Sequence, residues 1–190
     1  LIVKVNDIDV TADTYESAIT EIGGQAGTKL SLTVRSDNKD REIAEITRRV
    51  VVTPTIYSHM IGTTGYVKIT DFNENTYDQF KKALENLVGN QGAQSLIFDL
   101  RNNTGGLVDP AIKMLDMLLP EGVIATATYR DGSTEVLGNS DANCIDLPMA
   151  VLTNENTASA AELFTQALRD YNVAKSVGTN TYGKGVMQVT

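Results

Sequence analysis

The chain has 190 residues, 42% of them apolar, with sixteen basic against twenty-four acidic side chains and a net charge of −8. That is enough apolar material for a sizeable core, while the acidic balance and the lack of a Lys/Arg cluster argue against nucleic acid or an anionic membrane surface as a partner. One histidine, His59, and one cysteine, Cys144, exclude an internal disulfide and argue against a His/Cys metal site; no apolar run approaches the ~20 residues of a membrane span.

In chain order, LIVKVNDIDV alternates apolar and polar residues, a half-buried strand with a turn near Asn6 and Asp7. Beginning inside a strand suggests a chain missing its front. TYESAITEI carries apolar or aromatic residues at 15, 18, 19 and 22, a short helix stripe that GGQAG breaks. KLSLTV alternates again, SDNKD is a polar turn, and REIAEI is a further strand. The pattern changes around Val50 to Pro54, where a domain boundary is expected.

Beyond it, strands and helices take turns. GYVKIT reads as a strand, TYDQFKKALENLV as an amphipathic helix, SLIFDL as a nearly continuous apolar strand and RNNTGG as a loop. DPAIKMLDMLL is a helix ended by Pro120 and Gly122. PMAVLT is a buried strand, NENTA a loop and SAAELFTQALRDY a helix. AKSVG is one more strand, and TYGKGVMQV a loop running into a last one. Apolar strands alternating with helices imply an α/β layer arrangement, and such sheets bind ligands at the carboxyl ends of their strands.

Two loops at those ends carry the chemistry. In RNNTGG, Gly105 and Gly106 free backbone N–H groups to face an anion or oxyanion, or else simply make a tight turn. No Gly-Lys-Ser/Thr follows, so a phosphate-binding loop is excluded. In TNENTASAAEL, Ser159 opens a helix, and Ser159-Ala-Ala-Glu162 is a capping-box pattern. The same place suits a nucleophile, because helix N-termini stabilise developing negative charge and the Ala160 amide would sit where an oxyanion forms. Locally the hydroxyl is either a cap or a nucleophile, and a base must decide. His59 lies a hundred residues upstream, near the boundary, and reads as structural. Lys184, held between two glycines ahead of an apolar strand, is the better candidate. Lys184, Val186 and Gln188 would share one strand face, letting Gln188 orient the amine. A free lysine (pKa ~10.4) is neutral in only about one molecule in 2,500 at pH 7; desolvation lowers such a pKa by up to ~3–5 units, which makes lysine a usable base.

DLRNNTGGL, NENTASAAE and TYGKGVMQ, in this order, resemble the carboxy-terminal processing peptidases, also called tail-specific proteases. The family pattern runs D-L-R-x-N-x-G-G, N-x-x-S/T-A-S-A-x-E, T-x-G-K-G-x-x-Q, with 25 residues from nucleophilic serine to lysine base, the interval from Ser159 to Lys184. The resemblance implies a crotonase/ClpP-like α/β core, Ser159 as nucleophile, Lys184 as base and Gln188 as its orienting partner. It also implies an oxyanion hole from Ala160 and from Gly105 or Gly106. VNDIDVTADTYESAITEIGGQAGTKLSLTV looks like the latter part of the PDZ domain that precedes such cores. Residues 1–50 are therefore expected to be a partial PDZ domain and 51–190 a protease core whose C-terminal part is missing. Two positions depart from the pattern. Asn156 stands where glycine is common, and Thr104 where proline is frequent; asparagine is expected to serve at 156 because it tolerates left-handed φ.

The expectation is a serine endopeptidase acting near the C-terminal tails of polypeptides. No metal or organic cofactor and no nucleic acid is implied; a homo-oligomer stays open. The resemblance places the protein in bacteria and outside the cytoplasm, periplasmic, secreted or membrane-anchored. Two alternatives are a catalytically inactive peptide-binding scaffold of the same fold and a crotonase-type acyl-CoA enzyme. Asp99 and Arg101 are expected to fix the GG loop through local hydrogen bonds, and Cys144 to be a small, partly buried residue.

Overall fold

The computed structural model describes residues 1–187. The chain forms two compact units, Leu1–Val52 and Thr53–Thr190.

The first unit is a four-stranded antiparallel sheet, ordered β2-β1-β3-β4, with one helix. Its strands are β1 (Ile2–Val5), β2 (Ile8–Asp9), β3 (Lys29–Ser36) and β4 (Lys39–Thr47), and its helix is α1 (Tyr15–Ile22). The β3–β4 turn sets Asp37 and Asn38 both at positive φ (50° and 57°). That is the backbone of a two-residue hairpin turn, which Asp and Asn tolerate. Val5, Ala18 and Leu30 form its small core.

The second unit is built on a five-stranded sheet ordered β11-β10-β7-β6-β5. These strands are β5 (Ile56–Ile61), β6 (Thr64–Ile69), β7 (Ser95–Asp99), β10 (Met149–Thr153) and β11 (Ala174–Gly178). From β6 to β11 all neighbours run parallel, and β5 joins antiparallel at the edge. Parallel neighbours need crossovers, supplied by α2 (Thr76–Leu84), α3 (Val108–Asp116) and α4 (Ala160–Asp170). A hairpin of β8 (Gly122–Thr128) and β9 (Thr134–Ser140) stands as a separate two-stranded sheet. The centre is aromatic. Phe80 of α2, Phe98 of β7 and Phe164 of α4 are fully buried, with ring centroids 5.7–6.3 Å apart. Burying each such side chain is worth about 1.5–3 kcal/mol, so the sheet and two of its helices are locked together at this point.

The elements differ from the sequence expectation in four places. The helix expected over TYDQFKKALENLV is α-helical only to Leu84 and continues as a π-helical turn over Glu85–Asn90. Strand β5 and the β8–β9 hairpin lack a marked enough alternation to stand out in the sequence. The strand expected within TYGKGVMQV is absent over 181–187, which have no regular secondary structure. A shared strand face for Lys184 and Val186 therefore does not exist, and Gln188 lies outside the described residues.

Candidate active site

The loops after β6, β7 and β10 and the segment after β11 meet at the carboxyl edge of the parallel strands. Register puts Asp99 of β7 beside Lys68 of β6 and Leu152 of β10, and Thr153 beside Gly178 of β11.

Asp99 ends β7 as a buried carboxylate, 1% exposed. It accepts from the Arg101 side chain twice, at 2.9 and 2.7 Å, from the Arg101 amide at 3.0 Å and from the Tyr66 hydroxyl. Burial alone would push its carboxyl up; the bonds from Arg101 and Tyr66 outweigh that and hold the pKa at about 2. In the same loop Asn103 is buried. Its Nδ2 donates to the Ile69 carbonyl (2.9 Å), and its Oδ1 accepts the Gly105 amide (2.8 Å). The Gly105 N–H is thus consumed inside the loop. Gly106 is exposed, and its N–H has no partner among the described residues.

Both glycines are required by space as well as by φ (107° and 129°). A Cβ on Gly105 would lie 2.7 Å from Ser159 Cβ and 3.1 Å from the Ala160 nitrogen. One on Gly106 would lie 2.2 Å from the Phe72 carbonyl oxygen. The loop is zipped to the β6–α2 connection by Phe72 N–H to Gly105 O (3.0 Å) and Leu107 N–H to Phe72 O (2.7 Å).

Ser159 sits in the other loop at φ 55°, ψ −122°, a conformation costly for a residue with a side chain. Both sides of a capping box face each other here. The Ser159 N–H reaches Glu162 Oε2 at 2.8 Å, and the Glu162 amide lies toward the serine side chain. The hydrogen bond of that amide nevertheless goes to the Ser159 carbonyl (2.8 Å), so the hydroxyl is not tied down as a cap. Thr157, the other hydroxyl of the loop, is fully buried and donates to the Leu100 carbonyl (2.9 Å). The Ala160 N–H has no partner among the described residues.

Glu162 does more than cap. Besides the Ser159 amide, it accepts the Lys184 amide at Oε2 (2.9 Å), and the Gly183 amide and Thr181 hydroxyl at Oε1 (2.7 Å each). Burial raises its pKa, but these four donors more than offset that and hold the carboxyl below its ordinary value. One carboxylate thereby joins the backbone of Ser159 to the backbone of Lys184. Both residues line the same cavity of about 1030 Å³, with Val108, Leu137 and Leu163 among its apolar walls. The sequence showed Glu162 only as the end of a capping box. Its reach to residues 181–184 crosses about twenty positions and leaves no local pattern.

His59 is on β5, three strands from β10, its ring 4.9 Å from that of Tyr66. At ~4.8 Å per strand this is too far to serve Ser159. Cys144 is half-buried and free. Among the described residues no cluster of His, Cys, Asp or Glu is suited to a metal ion, and no helix is long and apolar enough to cross a membrane.

Residues 63–190 match Peptidase family S41. The chain belongs to peptidase family S41. It is 31% identical over 193 residues to a probable CtpA-like serine protease of Staphylococcus aureus, aligned over 100% of this chain and 38% of that protein. The Staphylococcus epidermidis relative is also 31% identical, with 39% of its length covered. Among solved structures, a photosystem II D1 C-terminal processing protease superposes with a TM-score of 0.65 at 26% identity, over 99% of this chain and 53% of that one. A lipoprotein from Streptococcus agalactiae shares the fold at TM-score 0.61 and 23% identity, over 71% of this chain and 53% of that one. The chain thus spans about two fifths of the length of these two curated relatives and about half of each of these two solved structures. The family resemblance carried by the three motifs is borne out, as is the mixed α/β class.

Proposed function

We propose that this protein is a serine endopeptidase with a Ser159–Lys184 dyad that cleaves polypeptides near their C-terminal tails. The observation that carries it is the Glu162 carboxylate, which ties the amides of Ser159 and Lys184 to one point at the rim of one cavity. In this reading Ser159 Oγ attacks the scissile carbonyl while its proton passes to neutral Lys184 Nζ. The resulting ammonium then protonates the leaving amine, leaving an ester on Ser159 that water hydrolyses with the lysine again as base. The oxyanion takes hydrogen bonds from the Ala160 and Gly106 amides. Gly106 is preferred over Gly105, whose N–H is already committed to Asn103. Each such donor is typically worth ~3–4 kcal/mol in the transition state. Gln188 orients the lysine amine.

The same reading takes residues 1–50 as the latter part of a PDZ domain and 51–190 as a crotonase/ClpP-like core, and it places the protein outside the cytoplasm. The similarity to CtpA-like proteases and to a D1 C-terminal processing protease supports tail-directed cleavage. A fluorophosphonate probe tests the reading directly. Mass spectrometry should find one adduct on Ser159, absent from Ser159→Ala. No adduct on a folded protein would favour the non-catalytic scaffold, and turnover of a CoA thioester without an adduct would favour the acyl-CoA enzyme.

A further inference from the structure

Three asparagines bridge the loops that carry the two proposed oxyanion donors. Asn154 Oδ1 accepts the Asn102 amide and its Nδ2 donates to Asn102 Oδ1, both at 2.9 Å. Asn156 Nδ2 donates to that same Asn102 oxygen at 3.0 Å, and its N–H to Asn154 Oδ1 at 3.2 Å. Asn102 is in the left-handed region, at φ 65°, which asparagine tolerates. Asn156 is not among the positive-φ residues. The sequence-based reason for an asparagine there, tolerance of a left-handed turn, is therefore wrong. Its side chain is used for a hydrogen bond that a glycine could not make.

The inner sides of the same loops are joined separately, by Thr157 Oγ1 to the Leu100 carbonyl (2.9 Å) and by the Ala158 amide to the Asn103 carbonyl (3.0 Å). Bonds on one side only would leave a hinge. The asparagines fasten the exposed side, three residues before Ser159 and four before Gly106. We propose that Asn156 is a positioning residue, which through Asn102 fixes the distance between the Gly106 and Ala160 amides. Two oxyanion donors on separate loops stabilise a transition state only if their separation is preset. A carboxamide suits the task because its short, planar NH2 reaches the acceptor on the facing loop.

The inference rests on the peptidase reading, and its test separates the two. A peptide aldehyde adds to a serine hydroxyl and leaves its oxygen in the oxyanion position, whereas the matching product peptide binds without one. In the intact protein, Asn156→Ala should weaken the aldehyde about fivefold, the net worth of one hydrogen bond, and lower kcat in step. KM, product-peptide affinity and Tm should hold. Asn102→Gly keeps the left-handed backbone and removes the shared acceptor, so Asn156→Ala in that background should add nothing. Parallel weakening of aldehyde and product, or full additivity of the two substitutions, would overturn the positioning role while leaving the peptidase standing. No hemiacetal on wild-type Ser159 would overturn both.

Discussion

The β7–α3 and β10–α4 loops and the segment that carries Lys184 are held in place by opposite means. The two loops are held by many short-range and cross-loop bonds, including those of buried Asp99, Asn103 and Thr157. The segment 181–187 has no regular structure. Among the described residues, the Tyr182 amide donates to the Thr157 carbonyl (2.9 Å), and three further donors of the segment, the Thr181 hydroxyl and the Gly183 and Lys184 amides, converge on the carboxylate of Glu162. The proposed nucleophile and oxyanion donors are thus built into the fold, while the proposed base is hung on it. Function should be more sensitive than stability to changes on the lysine side, and the reverse should hold around Asp99.

The largest effect is expected at the base itself. Lys184→Arg keeps a cation and a long side chain but cannot give up its proton. It should lower kcat/KM by about a thousandfold or more, as dyad removal does, with an unchanged Tm. Substantial activity would make the lysine a charge and not a base. Glu162→Gln comes next. It turns one acceptor oxygen into a donor facing an amide, so the segment should lose its anchor and kcat should fall about a hundredfold, mostly without loss of the fold. If activity survives, the fastening resides elsewhere and the contrast drawn above is wrong.

On the other side, Asp99 should matter to stability. Its pKa is depressed to about 2 from an ordinary 3.8, which corresponds to about 2 kcal/mol. A depressed carboxyl contributes in full above its unfolded pKa, so this stability is present above about pH 4 and is lost as pH falls towards 2. Asp99→Asn should flatten that part of the acid unfolding curve, measured by denaturant midpoints; an unchanged curve would show the Arg101 and Tyr66 bonds to be idle. The smallest effect on stability is expected at Ser159. Because the Glu162 amide bonds to the serine carbonyl and not to its hydroxyl, Ser159→Ala should shift stability by less than the ~1 kcal/mol of a working N-cap. A larger loss would mean the hydroxyl caps the helix after all.

Much of this site was readable before any fold was known, because its parts sit in short runs. DLRNNTGG and NENTASAAE each place their chemistry within nine residues of a strand end, and the elements around them fall where apolar periodicity puts them. Three kinds of information were not local. Which glycine amide is free depends on the Asn103 side chain, which the sequence shows only as one more loop residue. The second role of Glu162 depends on a segment 19 to 22 residues further on. The reason for Asn156 lies across the site at Asn102, 54 residues away, so a backbone argument was the only one available and it was the wrong one. The β8–β9 hairpin escaped for a different reason: its faces are mixed in exposure, so no clean period of two marks it.

The central claim is that Ser159 becomes acylated with Lys184 as its base. Rapid acid quench of intact protein mixed with a polypeptide ester substrate, read by intact mass and peptide mapping, tests it most directly. The expected result is a covalent acyl group on Ser159 in the wild type, formed at least about a thousandfold more slowly in Lys184→Arg. Cleavage with no acyl group on Ser159, or acylation at an equal rate in the arginine variant, would contradict it.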